Sequence, residues 1–303
     1  MAAPKIFGIL FIVFALGLAL YLYRLEPIKK LGLDDITLPK IFSTSTGDKI
    51  SSPPPEEKTP TYLVQPPPPP EPTISPSEIP EGFTLKDLSP YFHKVRLGSV
   101  SPGFGPDSPG QISLYTSYSE GEKAVNVTGW LLQARDGSQY ISKAINVYDP
   151  SGLAPAEDIY LGNGDILYLY TNTSAIGQNL RLNKCLGYLE NVNQFNPSLP
   201  RNCPTPSRFE VSGFSGACQD YIQSLSSCSL PDFNNAPIPQ NDYACRGYLD
   251  TINYRGCFER HRVDSDFLDR EWRVWTGSQF LDDRHDRLLL LDRRGLLVDL
   301  YEY

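Results

Sequence analysis

The chain has 303 residues, with 28 prolines, 18 tyrosines and six cysteines, and its formal net charge at pH 7 is −8. Binding to nucleic acid or to an anionic lipid surface needs a concentrated basic face, so this acidic balance argues against both kinds of partner. The length is sufficient for one large domain or two modest ones.

A membrane anchor is the first predicted element. After Lys5, residues 6–23 form an uninterrupted apolar run that ends at Arg24. A helix of this length rises about 27 Å, close to the thickness of the hydrocarbon core. We therefore predict that residues 1–24 are an uncleaved signal-anchor that crosses the cytoplasmic membrane once. A cleaved signal peptide is the alternative, because residues 15–17 offer a small-x-small cleavage site.

Residues 25–82 are predicted to form a disordered tether. They include the run Pro66–Pro70, with further prolines at 72, 76 and 80, and very few apolar residues. A segment of this composition cannot offset the entropy of its ordering by burial, so it stays extended, partly as polyproline II. The tether would hold the following domain away from the membrane. A proline-rich recognition ligand is the alternative interpretation.

From Phe83 onwards the sequence changes to short strands separated by turn residues. The predicted strands cover residues 93–98, 111–115, 124–132, 139–141, 158–161, 166–170, 272–275, 287–291 and 296–301. Such spacing, with glycine in the turns, is typical of an all-β sandwich. We predict that residues 83–181 and 267–303 together form this sandwich.

All six cysteines lie in a threefold repeat. Each copy reads Cys-x-x-Tyr, an aliphatic residue, two further residues and a second aliphatic residue, and each is followed by one more cysteine. Positions i, i+3, i+4 and i+7 share one face of a helix, so each copy predicts a short amphipathic helix. Six clustered cysteines also predict three disulfides and a compartment outside the cytoplasm. The residues are Cys185, Cys203, Cys218, Cys228, Cys245 and Cys257.

The pairing of these cysteines is open in principle, because six cysteines can pair in many ways. Since the copies are self-similar, we expect each one to close its own loop, as Cys185–Cys203, Cys218–Cys228 and Cys245–Cys257. The block 182–266 is predicted to be a disulfide-stapled, partly helical insertion in the sandwich. The closing hairpin lies beyond it and is too short to be stable alone.

The strand pattern resembles the lamin tail domain, an immunoglobulin-like sandwich found in nuclear lamins and in bacterial surface and secreted proteins. Three stretches carry the resemblance: residues 125–131, which read Val-Asn-Val-Thr-Gly-Trp-Leu, the hairpin 137–140, and the closing hairpin 286–299. The resemblance implies a role in interaction and not in chemistry, although fold analogy alone does not assign function. The 85-residue insertion 182–266 departs from the family's pattern.

Trp130 is predicted to fill the core of the sandwich. Its indole is a large apolar body, and Gly129 beside it would let a neighbouring side chain or strand approach closely. A tryptophan that stacks on a ligand is the alternative interpretation.

Residues with catalytic or metal-binding chemistry are few. His93, His261 and His285 lack metal-ligand spacing, and no Cys-x-x-Cys pair occurs, so we expect neither a metal nor a cofactor. Two acidic clusters, 264–271 and 282–286, flank the strand Trp272–Trp275. Paired carboxylates could bind calcium or act as acid and base in glycoside hydrolysis, but the interleaved arginines favour ion pairs on a solvated loop.

Two hypotheses of function follow from these patterns. The first is a non-enzymatic, membrane-anchored module that binds an extracellular protein or a surface polymer, with the block 182–266 as its variable surface. The second is an extracellular hydrolase that uses acidic residues around 264–286. Two carboxylates in one concave pocket beside Trp272 or Trp275 would favour the second hypothesis.

Overall fold

The computed structural model describes residues 74–105, 107–117, 122–282, 284 and 286–303. The predicted anchor (1–24) lies outside the described residues, and so do the predicted tether up to residue 73, Asp283 and His285. Within the described ranges, no helix is both long enough and apolar enough to span a membrane.

Eleven strands and three α-helices lie in the described part of the chain. The strands are β1 Val95–Ser101, β2 Gln111–Thr116, β3 Val125–Asn126, β4 Leu131–Gln133, β5 Ser138–Tyr140, β6 Tyr160–Leu161, β7 Ile166–Tyr170, β8 Leu180–Asn183, β9 Leu268–Trp275, β10 Arg287–Leu291 and β11 Leu297–Glu302. The helices are α1 Gly216–Ser224, α2 Tyr243–Leu249 and α3 Tyr254–His261, with short 3₁₀ segments at Pro76–Glu78, Leu85–Asp87 and Leu186–Asn191.

The strands form two main sheets. One has five strands in the order β1-β2-β7-β9-β8, and the other has four in the order β11-β10-β4-β5. A small pair, β3 with β6, lies apart from them. Strands β7 and β9 run parallel, whereas the other neighbours in both sheets are antiparallel. A mostly β structure with few helices and three disulfides is consistent with the all-β sandwich that the sequence predicts.

The sandwich core follows from the two-residue period of the strands. Ile112, Leu169 and Val274 are in register across β2, β7 and β9, and all three are buried. They share a cluster with apolar residues of the four-stranded sheet, among them Leu132 and Leu290. The inner faces of the two sheets therefore pack against each other.

The outer face of the five-stranded sheet is also covered. Tyr170 and Trp275 are in register on β7 and β9, and both belong to a second cluster that contains all six cysteines. Since Trp272 and Val274 belong to the sandwich core, β9 is buried on both faces. The five-stranded sheet is thus the middle of three layers, between the four-stranded sheet and the cysteine-rich block.

The strand predicted over 124–132 is two separate strands in different sheets. Val125–Asn126 pairs with β6, whereas Leu131–Gln133 pairs with β5 and β10. Between them Gly129 has a φ of +77°, a left-handed conformation that glycine adopts without steric cost. The prediction was wrong about continuity because this turn moves the chain from the small sheet into the four-stranded sheet.

The cysteine-rich block begins where the chain leaves β8 after Asn183 and ends where it returns in β9 at Leu268. Of the three predicted repeat helices, the second and third are α1 and α2, and the first is the 3₁₀ segment Leu186–Asn191. Strand β8 was not predicted, because the predicted boundary at residue 182 divides its four residues between the sandwich and the cysteine-rich block.

Three disulfides are present, as predicted, but their pairing differs from the expected one. The bonds are Cys185–Cys257, Cys203–Cys228 and Cys218–Cys245, with sequence separations of 72, 25 and 27 residues. All six sulfur-bearing residues are buried in one cluster, so the copies pack against one another and not as separate loops. The expectation that each copy closes its own loop was therefore wrong.

Candidate binding surface

The beginnings of α1 and α2 are joined side by side. The Ser215 hydroxyl caps α1, accepting from the Cys218 amide at 3.4 Å, and it donates to Asp242 Oδ2 at 2.8 Å. The other oxygen of Asp242 caps α2, accepting from the Cys245 amide at 3.1 Å. The disulfide Cys218–Cys245 then links the third residue of each helix. Caps and disulfide together hold the two helices at a fixed spacing.

Two aromatic side chains that are near this joint in the sequence are exposed to solvent. Phe209, which precedes α1, is 88% exposed, and Tyr243, the first residue of α2, is 79% exposed. We call Phe209, Ser215, Asp242 and Tyr243 the helix-pair surface. Further large apolar side chains of the block are also exposed, namely Val192, Leu230 and Val263.

The local sequence explains why Phe209 points outwards. The amide of Ser207 donates to Glu210 Oε2 at 2.6 Å, and the amide of Glu210 donates to the Ser207 hydroxyl at 3.3 Å. This reciprocal pair has the form of a capping box and fixes a tight turn. Within the turn Val211 is fully buried, which leaves Phe209 on the opposite side. The hydrogen bonds from Ser207 also lower the pKa of Glu210.

The block is anchored to the middle sheet through backbone carbonyls of one segment. Arg273 Nη1 donates to the Ser198 carbonyl at 2.9 Å and to the Pro197 carbonyl at 3.2 Å. The Asn196 carbonyl accepts from Asn172 Nδ2 at 2.8 Å and from the indole of Trp275 at 3.4 Å. Because these donors extend from the sheet, the segment 196–198 lies directly against its outer face.

Arg273 is the central residue of this attachment. Its side chain is buried, its Nε donates to Glu271 Oε1 at 2.6 Å, and its guanidinium lies 5.8 Å from the ring centroid of Tyr170. Burial raises the pKa of Tyr170 to about 12, although the charge of Arg273 opposes the shift. Burial of a guanidinium costs free energy because the group loses its water. The ion pair with Glu271 and the two carbonyl partners offset this cost.

The first acidic cluster is engaged in ion pairs. Lys184 Nζ lies 2.8 Å from Asp264 Oδ2 and 2.6 Å from Asp266 Oδ1, and His261 Nδ1 lies 2.9 Å from the same oxygen of Asp264. The hydrogen bonds from Lys184 and His261 lower the pKa of Asp264. Asp264 and Asp266 are therefore ion-pair partners of Lys184 on a solvated loop.

The second acidic cluster contacts a different part of the molecule. Asp282 forms an ion pair with Arg135, and Asp286 Oδ2 accepts from the Arg135 amide at 3.0 Å. Trp272 and Trp275 are both buried, so neither lines an open cleft beside these carboxylates. Among the described residues, no group of His, Cys, Asp and Glu side chains is arranged to hold a metal ion.

Trp130 lies where the stretch 125–131 and the closing hairpin 286–299 come together. It is 2% exposed within the sandwich cluster, and its ring centroid is 5.6 Å from that of Tyr91. The closing hairpin reaches over the preceding turn, where Arg293 Nε donates to the Thr128 carbonyl at 2.6 Å. A Cβ atom on Gly129 would lie 3.3 Å from Arg293 Nε, so glycine allows this close approach.

The exposed aromatic pair was not predicted from the sequence. The signals that could have indicated it are local: the capping-box spacing of Ser207 and Glu210, and the cap residues Ser215 and Asp242, each three positions before a cysteine. Two of the three histidines lie among the described residues. His261 contacts Asp264, and His93 adopts a φ of +60° just before β1.

The chain was compared with family models, curated proteins and solved structures, and none of them matches it. The assignment of a function consequently depends on the residues of the chain itself. Those residues provide two exposed aromatic side chains, Phe209 and Tyr243, and acidic clusters whose carboxylates pair with Lys184 and Arg135.

Proposed function

We propose that this protein is a non-enzymatic binding module that displays its cysteine-rich block outside the cytoplasmic membrane. Residues 1–24 would anchor the chain and residues 25–82 would form a proline-rich stalk, whose end packs on the domain through Ile74 and Ile79. The domain on the stalk would be an immunoglobulin-like sandwich of the lamin-tail type. Its partner would be an extracellular protein or a surface polymer.

The observation that carries this proposal is the pairing of exposure with rigidity at the helix-pair surface. Large exposed apolar side chains mark interaction sites when they form one patch, which is what we propose for Phe209 and Tyr243. Tyr243 and Phe209 have few rotatable bonds, so they supply contact area at a low entropy cost. The Cys218–Cys245 disulfide and the caps at Ser215 and Asp242 reduce the cost of ordering this surface on binding.

The lamin-tail interpretation is supported by the way in which its two main stretches pair. Leu131, the last residue of the first stretch, and Leu132 after it are in register with Leu291 and Leu290 of the closing hairpin. Arg293 of the same hairpin donates to the carbonyl of Thr128. Two of the stretches that carry the resemblance are therefore neighbours in one sheet.

Binding to surface material tests the proposal. The full-length chain, labelled and held in detergent micelles, is incubated with isolated cell-wall polymer and with intact cells before and after protease treatment. We expect the double variant F209A/Y243A to bind about tenfold more weakly, because truncated interface anchors lose affinity of this order. The variant L153A is the matched control, since Leu153 is 85% exposed on a loop outside the cysteine-rich block.

Two results would contradict the proposal: no binding to either material by the unaltered chain, or equal binding by F209A/Y243A and the unaltered chain. Loss of binding after protease treatment of the cells would identify a protein partner, and binding to isolated polymer would identify a polymer. The hydrolase alternative finds no favourable geometry in the described residues, because Asp264 and Asp266 are held by Lys184 and Asp282 is held by Arg135.

A further inference from the structure

A cleft of about 420 Å³ lies at one end of the five-stranded sheet, and none of its lining residues belongs to the helix-pair surface. It is formed by the loop between β1 and β2, the turn after β7 and the loop after β9. Its lining comprises Phe104 with its two glycine neighbours, Thr171, Asn172, Thr173 and Gln279. Volumes of about 300–1,000 Å³ are usual for sites that bind small molecules.

The walls of the cleft are held in place by hydrogen bonds. Gln279 Nε2 donates to the Pro102 carbonyl at 2.6 Å, and the Gly110 amide donates to the Thr171 hydroxyl at 2.7 Å. The amide of Phe104 donates to the Ser108 carbonyl at 2.8 Å, which closes a tight loop. This loop leaves the Phe104 ring 89% exposed. An aromatic ring held in solvent at the rim of a cleft is a ready surface for stacking.

One polar group of the cleft is short of a hydrogen-bond donor. Gln279 uses its nitrogen on two carbonyls, and its Oε1 accepts from no described residue. The side chain of Gln279 is exposed, so this oxygen is open to a ligand. Asn172 Oδ1 also lacks a donor among the described residues, but it is fully buried and a ligand in the cleft does not reach it. A ligand that brings hydroxyl groups would supply the donor to Gln279.

The lack of charge in the cleft lining favours a neutral ligand. Although 20% of the chain is charged, no ionisable side chain is among the described residues that line the cleft. A charged ligand would lose water there without gaining a counter-charge, whereas a neutral ligand would not. A nucleobase could stack on Phe104, but its phosphates would meet a protein of net charge −8.

We infer that this cleft binds a neutral saccharide unit. The C–H face of the sugar would stack on Phe104, and a hydroxyl group would donate to Gln279 Oε1, with Thr173 at the rim. The inference does not rest on the helix-pair surface, because the two sites share no residue. A wall polysaccharide, a glycan on a protein and a free oligosaccharide are three sources of such a unit, and all three present the same chemistry.

Calorimetric titration of the full-length chain tests the inference, in a detergent that carries no sugar headgroup. The probes are neutral hexamers of glucose, mannose and N-acetylglucosamine, and a nucleoside serves as the competing class of stacking ligand. We expect at least one hexamer to bind, F104A to weaken its binding about tenfold, and F104W to retain it. L153A, which removes an equally exposed apolar side chain elsewhere, and F209A/Y243A should leave the titration unchanged.

Three results would overturn the inference: no binding of any hexamer at millimolar concentration, equal binding by F104A, or binding of the nucleoside alone. Circular dichroism checks that F104A is folded. We expect it to be folded, because the Phe104 ring is exposed and does not pack in the core. Pull-down with the corresponding insoluble polysaccharide and with a glycoprotein then separates the sources. If no saccharide binds but the helix-pair surface still binds its partner, the inference about the cleft is wrong and the proposed function is unaffected.

Discussion

Gly187 and Gly247 occupy the same position in two copies of the cysteine repeat, two residues after Cys185 and Cys245. Their surroundings are opposite. A Cβ atom on Gly187 would collide with Cys228 Sγ and with the Pro200 carbonyl oxygen, whereas one on Gly247 would meet no atom within 4 Å. The first glycine is therefore required by packing against the Cys203–Cys228 disulfide, and the second only leaves helix α2 more flexible.

The two alanine variants should consequently have effects of opposite sign. We expect G187A to lower the free energy of unfolding by about 1–3 kcal/mol through overpacking. G247A should raise it by about 0.5–1 kcal/mol, because alanine loses less entropy than glycine in a helix. Thermal unfolding of the oxidised chain by circular dichroism measures both. Equal effects of the two variants would show that Gly187 is not packed as described.

At the scale of elements, the cysteine repeat produces helices that pack on each other. Cys218 and Cys245 each lie three residues after a cap, on the buried face of α1 or α2, so the first cysteines of two copies meet. Cys203 and Cys228, which follow the first two copies, meet in the same way. The remaining pair joins the 3₁₀ segment to α3.

This connectivity makes a prediction about stability. In the loop-entropy model, loops of 25 and 27 residues contribute about 3.5 kcal/mol each, and the 72-residue loop contributes about 4.4 kcal/mol. The variant C185S/C257S should therefore be less stable than C218S/C245S. Guanidinium denaturation compares them, and non-reducing peptide mapping of the unaltered chain identifies the bonds. A major species with Cys185–Cys203 would contradict the pairing.

The elements themselves were predicted from the sequence to different degrees. Strand β7 has the bounds that alternation predicts, because its alternate residues face two different layers. The strand over 124–132 was misjudged, since a glycine in a β-rich run gives no sign that the chain changes sheets there. Strand β9 begins four residues before the predicted Trp272, because its first half is half-buried or exposed and lacks an apolar pattern.

At the scale of the whole molecule, the middle sheet carries the cysteine-rich block on one face and the second sheet on the other. Arg273 stands at the junction, with Glu271 and two carbonyls of the segment 196–198 as its partners. Its neighbour on the same strand, Arg270, is exposed. A comparison of variants at Arg273 and Arg270 therefore separates the loss of the junction contacts from the loss of a positive charge.

Removal of the buried guanidinium should loosen the block. We expect R273M to lower the free energy of unfolding by about 3–5 kcal/mol, because Glu271 and the two carbonyls are left without a partner. R270M should change it by less than about 0.5 kcal/mol. Hydrogen exchange of residues 193–200 provides a local readout and should rise only in R273M. Unchanged exchange there would show that Arg273 does not hold the block.

The sequence by itself determined what depends on neighbouring residues: the strand-rich texture, the helical spacing after each cysteine and the existence of three disulfides. Only the tertiary structure decided the pairing of the cysteines, the burial of β9 on both faces and the exposure of Phe209, Tyr243 and Phe104. These features depend on which segments, tens of residues apart, come to lie side by side. A local pattern indicates which face of a strand or helix is apolar. Which element packs on that face depends on the tertiary structure of the whole domain.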